Sequence, residues 1–247
     1  MKGKTVIVTG ASTGIGYAIA KLFIEKGSNV IMNANNPERL ENAYQELGSP
    51  SNAITMSGDV GLKTTGKELV EVTLDRFGSV DVLINNAGVF HPKPFLEVEE
   101  SDLDRYLTTN FKGTYFTAQA VIPQMQKQQS GTILNMGTVL VDHAIAGFPA
   151  SAAVSSKGAI HTFTRQLAAE YGKDNIKVNT ISPGIIRSPL QGKIGVDDAD
   201  SLAGLHLLNR IGETNEIAET AYYLAQADFV TGETINVAGG HTVGHTI

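Results

Sequence analysis

The chain has 247 residues, 42% of them hydrophobic, a formal net charge of −6, and no cysteine. That length admits one α/β domain or two small ones, and a chain without cysteine has neither a disulfide framework nor thiolate chemistry, which suits a reducing cytosol. Lysine and arginine are scattered without a basic run, which argues against nucleic acid as the main partner; with no signal-peptide pattern and no apolar span near the ~20 residues that cross a bilayer, a soluble cytoplasmic protein with no membrane partner is expected.

Lys4 to Gly27 (KTVIVTGASTGIGYAIAKLFIEKG) reads as strand, glycine-rich turn and helix. Val6, Ile7 and Val8 form the short β-branched run of a strand buried on both faces. Gly10, Gly14 and Gly16 follow where Cβ atoms would obstruct a tight turn or hold the backbone away from an anion. Ile19, Leu22 and Phe23 then recur at helical spacing, so the backbone N–H groups near the helix start face whatever fills the turn. The general dinucleotide pattern is G-x-G-x-x-G, whereas this chain reads G-x-x-x-G-x-G, an imperfect match by itself.

Asn29 to Asn33 is a second strand, giving a β-α-β unit. A carboxylate after that strand would favour NAD and an arginine NADP; here stand Ala34, Asn35 and Asn36, with Arg39 further on. The balance tilts slightly to NADP(H) over NAD(H), with Asn35 and Asn36 as contacts, and Arg39 read equally as contact or ordinary helix-start residue. Pro37 to Leu47 is predicted as a helix with Pro in its first turn, Ala53 to Met56 as a third strand ending in Gly58-Asp59-Val60, and Leu62 to Phe77 as an amphipathic helix stopped by Gly78. Val80 to Ile84 is a fourth strand, followed by Asn85-Asn86-Ala87-Gly88. A long helical region is expected from Ser101 to Lys127, a fifth strand over Gly131 to Met136, a helix over Ala152 to Tyr171, and a sixth strand over Ile176 to Ile181 ending in Ser182-Pro183-Gly184. An irregular stretch, Ile185 to Asn209, precedes a helix at Asn215 to Ala225 and a last strand at Glu233 to Val237. Strands alternating with helices throughout predict one Rossmann-like, doubly wound, parallel α/β domain of about seven strands over residues 1–247, with 185–209 as a substrate-loop region.

The chain resembles the short-chain dehydrogenase/reductase family over essentially its whole length. Six motifs in order carry the resemblance: Thr9-Gly10-x-x-x-Gly14-x-Gly16, Asp59-Val60, Asn85-Asn86-Ala87-Gly88, Asn110, Ser156-Lys157-Gly158, and Pro183-Gly184. The glycine spacing is that family's own form. The resemblance implies an NAD(P)-binding fold, hydride transfer between a nicotinamide and an alcohol or carbonyl carbon of a small-molecule substrate, and a homo-oligomer, tetramer or dimer. It implies cofactor contacts from Gly10, Ser12, Thr13, Gly14, Ile15 and Gly16, and from Asn35 and Asn36. Asp59 and Val60 would flank the adenine, Asn86, Ala87 and Gly88 would pass the ribose and diphosphate, Lys157 would bond the nicotinamide ribose, and Ile186 after Pro183 and Gly184 would meet the carboxamide. For Asn85 a structural role is as good a reading as cofactor contact.

The resemblance also implies a tyrosine four residues before the lysine as proton donor, and here that residue is Ala153. A methyl group donates no proton, and a placed acid is typically worth ~10²–10⁴ in rate. Thr138 stands where the family has a serine and keeps a hydroxyl that can donate to a carbonyl oxygen. His143 in the following loop is a candidate substitute acid, set against a plain loop histidine. Ser151, six residues before Lys157, falls off its helical face, and His91 and His161 suit surface and packing roles. His241 and His245 lie in a glycine-containing tail, and no His/Asp/Glu grouping has metal-ligand spacing, so no metal is expected. Three readings follow: an NAD(P)-dependent oxidoreductase using Asn110, Thr138 and Lys157 with an atypical proton donor; a catalytically silent NAD(P)-binding sensor, or a Tyr-to-Ala inactivated variant; and, against the intact glycine turn, non-redox chemistry on the same scaffold. The pocket is expected among Val89 to Phe95, Val139 to Phe148 and Ile185 to Leu208.

Overall fold

In the computed structural model, which describes residues 1–193 and 198–244, the elements alternate as their periodicity requires. Strand β1 (Thr5–Thr9) leads into helix α1 (Gly14–Glu25), β2 (Asn29–Ala34), α2 (Pro37–Glu46), β3 (Ala53–Ser57), α3 (Lys63–Phe77) and β4 (Val82–Asn85). Then follow α4 (Glu100–Tyr106), α5 (Gly113–Gln128), β5 (Gly131–Met136), α6 (Ser151–Tyr171) and β6 (Ile176–Pro183). A short β7 (Ile186–Arg187), α7 (Leu190–Lys193), β8 (Gly212–Glu213), α8 (Thr214–Leu224) and β9 (Thr234–Val237) complete the order.

Seven strands form one sheet in the order β3-β2-β1-β4-β5-β6-β9, every neighbouring pair parallel. Because a strand sends successive side chains to opposite faces, β1 feeds two cores. Val6 and Val8 join Ile19, Phe23, Leu40, Ile217 and Leu224 from α1, α2 and α8 on one face, and Ile7 joins Leu69, Val121, Met125 and Leu167 from α3, α5 and α6 on the other. A sheet covered on both faces explains the uninterrupted apolar runs of its strands. Strand order reverses between β1 and β4, the two neighbours that leave a crevice at their carboxyl ends.

Two expectations need correction. The helical region expected from Ser101 to Lys127 is broken: α4 ends at Tyr106, and Leu107–Lys112 form a wider π-helical turn before α5. The extra residue lets buried Asn110 turn its side chain toward the carboxyl end of β4, a distortion that a pattern of apolar residues does not encode. The stretch from Ile185 to Asn209 is not wholly irregular either. It holds β7, which pairs with β8, then α7 and a 3₁₀ segment Ala199–Leu205. The remaining element limits agree within about two residues, the ordinary scatter of helix and strand ends.

Candidate active site

The glycines of the first turn are required either by backbone conformation or by a close neighbour. Gly10 and Gly14 have φ of +66° and +59°, the left-handed region that favours glycine. A Cβ on Gly16 would lie 2.2 Å from the Gly10 carbonyl oxygen and 2.4 Å from Asn86 Nδ2, so α1 can start this close to β1 only without a side chain there. Asn86 locks the turn from the other side, its Nδ2 donating to the carbonyls of Thr9 (3.0 Å) and Gly10 (3.2 Å). The Thr9 hydroxyl accepts the N–H groups of Asn86 and Ala87. At the start of α1, Thr13 makes no side-chain capping bond and the first turn holds no acidic residue. Its N–H groups and the positive end of the helix dipole therefore meet no anion from their own helix. Ser12, Thr13, Gly14 and Ile15 are all partly exposed there.

The segments expected further along the crevice lie at the carboxyl ends of their strands. Asn35 and Asn36 are exposed after β2, and Asn36 caps α2 by accepting the Arg39 N–H at 2.8 Å. Asp59 is exposed after β3 and accepts the Gly61 N–H at 2.9 Å, while Val60 is buried against Gly113 at the start of α5. Gly88 is exposed after β4, and a Cβ there would lie 3.1 Å from Asn110 Oδ1 and 3.3 Å from Lys157 Nζ. Asn110 holds that segment through both ends of its amide: Oδ1 accepts the Val89 N–H at 2.8 Å and Nδ2 donates to the Val89 carbonyl at 3.0 Å. The same Nδ2 donates to Ser156 Oγ at 2.8 Å, and Ser156 Oγ donates to the Ala153 carbonyl at 2.6 Å. Asn110 thus ties the β4 loop to the turn of α6 that carries Ala153, Ser156 and Lys157.

Lys157 is 9% exposed and donates to the Met136 carbonyl at 2.6 Å. Burial disfavours the ammonium form and brings its pKa down from the ordinary lysine value to about 8. Ala153, one turn earlier on the same face, is buried at 1% exposure. Thr138 stands partly exposed after β5, where its hydroxyl accepts the Leu140 N–H at 3.3 Å. Ser151 opens α6 as an exposed residue beside an apolar groove formed with Pro94, Phe95, Phe148 and Pro149, away from the Ala153–Lys157 turn.

Asn85 proves to be structural. It is buried, accepts from Thr117 Oγ1 (2.6 Å), and donates to Asn135 Oδ1 (3.0 Å) and the Thr114 carbonyl (3.3 Å). Asn135 passes the chain of bonds to Thr164, which accepts from Thr180. Polar residues in three strands and two helices satisfy one another there, which local spacing could not reveal.

The histidines divide. His91 is exposed, and His161 is buried under Gly137 with its Nε2 3.1 Å from Ser182 Oγ. Burial, its main influence, lowers the His161 pKa, while Asp142 opposes and Arg165 and Lys157 assist. His143 is partly exposed and stacks edge-on against His241 with ring centroids 5.4 Å apart; His241 stacks likewise on His206 at 5.3 Å. His241, in the glycine-containing tail, is fully buried; His245 lies outside the described residues. His206 accepts the Ile185 N–H at 3.2 Å and lies against Gly184, so this row joins the loop after β5 to the Pro183–Gly184 turn before buried Ile186. Among the described residues no cluster of His, Cys, Asp and Glu is arranged to hold a metal ion. Sequence reasoning did not foresee this row, and it covered Ser188, whose Cβ lies 3.5 Å from where a Gly14 side chain would begin, only as one residue of the expected Ile185 to Leu208 pocket segment. Only its nearness to Pro183-Gly184 could have pointed to Ser188.

Fold and crevice define an open, doubly wound α/β protein with its cleft at the reversal of strand order. A family model described as enoyl-(acyl carrier protein) reductase matches residues 10–242. The 3-oxoacyl-[acyl-carrier-protein] reductase FabG of Staphylococcus epidermidis is 34% identical over 242 residues, covering 96% of this chain and 98% of that protein. Among solved structures, "ElxO with NADP Bound" superposes with a TM-score of 0.91 at 29% identity, over 99% of this chain and 100% of that one. A short-chain dehydrogenase/reductase of Brucella melitensis, described as a glucose/ribitol dehydrogenase, gives 0.90 at 30% identity over 98% and 97%. This chain belongs to the short-chain dehydrogenase/reductase family.

Proposed function

We infer that the protein is an NAD(P)-dependent oxidoreductase that interconverts a small alcohol and carbonyl. The observation that carries this reading is the pairing of an uncapped α1 start over a turn bare of side chains with the Lys157 amine under exposed Gly88. A side chain on Gly10 or Gly16 would collide with Asn86, Ala87 or the Gly10 carbonyl and push the turn apart, so the tight turn with its uncapped α1 start fits a dinucleotide diphosphate on its N–H groups. Ser12, Thr13 and Ile15 would border the diphosphate, Asp59 and Val60 the adenine, Asn86, Ala87 and Gly88 the riboses, and Pro183, Gly184 and Ile186 the carboxamide. When bound, the nicotinamide supplies or accepts the hydride. Lys157 would hold a hydroxyl of its ribose and keep positive charge near the reacting oxygen, and Thr138 would hold that oxygen by its hydroxyl. Asn110, whose amide is engaged on Val89 and Ser156, acts as a positioning residue. The absence of a carboxylate at Asn35 and Asn36, with Arg39 at the start of the next helix, favours NADP(H) over NAD(H). The NADP bound in the ElxO structure and the reductase name of the staphylococcal relative agree with this reading.

Buried Ala153 favours a second reading, a protein that binds NAD(P) without turning substrate over. Exposed Leu103, Tyr115 and Phe229 support assembly as a homo-oligomer, tetramer or dimer, and we place it in the cytoplasm on the absence of cysteine. Titrating the protein into NADPH and NADH by nicotinamide fluorescence, then following absorbance with ketones and 3-oxoacyl thioesters, separates the readings. Binding with turnover supports the oxidoreductase, binding without turnover the silent protein, and no binding to either dinucleotide refutes both.

A further inference from the structure

Resting on the oxidoreductase reading, we propose that Lys157 is itself the proton donor, its ammonium delivering to the carbonyl oxygen the proton that the methyl group of Ala153 cannot supply. Four observations on α6 and its neighbours lead there. Ala153, one turn before Lys157, presents only a methyl group, and it is buried. Ser156 Oγ spends its proton on the Ala153 carbonyl, and the Asn110 amide donates to the Val89 carbonyl and to Ser156. Ser151 is an exposed residue at the groove with Phe95, off the lysine's face. The Lys157 ammonium has three N–H bonds and gives one to the Met136 carbonyl, and its Nζ borders exposed Gly88.

The step balances. With a bound reduced dinucleotide supplying hydride to the carbonyl carbon, the C=O π pair would move onto oxygen and one N–H bond of the Lys157 ammonium would break as the O–H bond forms. The amine keeps that electron pair and is reprotonated from water. A lysine buried enough to titrate near 8 tolerates the neutral state near neutral pH, and its bond to Met136 persists because an amine still donates. The titratable group that feels its charge is His161, one turn along α6, on which Asp142 in the loop after β5 and Arg165 also act, whereas burial alone lowers Lys157 itself. Their mutual influence at His161 is secondary to burial.

The first measurement uses the unaltered protein without dinucleotide: an NMR pH titration of ¹⁵N-lysine-labelled protein, the Lys157 resonance assigned by its loss in Lys157→Met. A midpoint near 8 is expected, and one above about 10 overturns the proposal. The second compares wild type with Lys157→Arg, which keeps the charge but holds its proton. With NADPH fluorescence verifying binding in both, Lys157→Arg is expected to lose roughly 100-fold in kcat. The wild-type rate should fall as pH rises through the measured midpoint, and Lys157→Arg should lose that fall. Retained kcat in Lys157→Arg, or a larger loss in His143→Ala than in Lys157→Arg, overturns the assignment and leaves the oxidoreductase reading standing. Failure of wild type to bind NADPH and NADH overturns both.

Discussion

Replacing Asn85 by alanine tests whether the polar network beneath the crevice is a structural member. Asn85 is 3% exposed, and its loss strips Asn135 Oδ1, itself fully buried, of its donor. The Thr117 hydroxyl survives by donating to the Gly113 carbonyl, already 2.7 Å away. One orphaned buried acceptor costs about 1–3 kcal/mol, and the few atoms removed leave a void worth roughly another 1 kcal/mol. Asn85→Ala should therefore lose about 2–4 kcal/mol. Asn85→Asp should lose at least as much, since a carboxylate facing Asn135 Oδ1 donates nothing. Urea unfolding at one fixed protein concentration, which holds any assembly constant, gives the difference, with the denaturant slope unchanged. A loss below about 0.5 kcal/mol in Asn85→Ala, or an Asp variant as stable as wild type, would refute the network.

Gly16→Ala forces a methyl onto the Gly10 carbonyl, so it should destabilise the fold by about 1–3 kcal/mol and weaken NADPH binding at least tenfold; wild-type affinity by fluorescence would contradict the cradle. Lys157 gives a pH signature of the opposite sign to a salt-bridged lysine. Its pKa is lowered from 10.5 to about 8, so between those values the unfolded chain binds more protons and stability rises with pH. The burial penalty, roughly 3 kcal/mol at most, is fully present below pH 8 and gone above 10.5. Unfolding of wild type and Lys157→Met at several pH values should show this rise only in wild type. Arg39 is exposed, so Arg39→Ala should weaken NADPH by about 1 kcal/mol, roughly fivefold, and leave NADH unmoved; equal loss of both would remove Arg39 from the ribose contact. Ala153→Tyr restores a phenol one turn before Lys157 and should raise kcat if it fits, while aggregation or loss of the folded circular dichroism spectrum would show that the closed packing at Ala153 cannot admit a ring.

Much of the architecture was written in local pattern. The apolar run Val6-Ile7-Val8, the glycines after it and the helix starting at Gly14 are consequences of short-range sterics and two periodicities, so they are legible one residue at a time. The same holds for Pro37 opening a helix and for Gly78, whose φ of +76° ends one. The ordered motifs also singled out Lys157 and Asn110, which the structure brings together beside Gly88. Only the tertiary structure decided what these residues meet. The π-helical turn at Leu107–Lys112 carries no apolar signature, because one extra residue in a turn changes hydrogen bonding rather than which faces are buried. Asn85 joined to Asn135, and His143, His241 and His206 drawn from three distant segments, are long-range meetings fixed by packing of the sheet against its helices. The lowered pKa of Lys157 belongs to the same class: it follows from burial between α6 and β5, and burial is a property of the folded molecule that no stretch of sequence possesses alone.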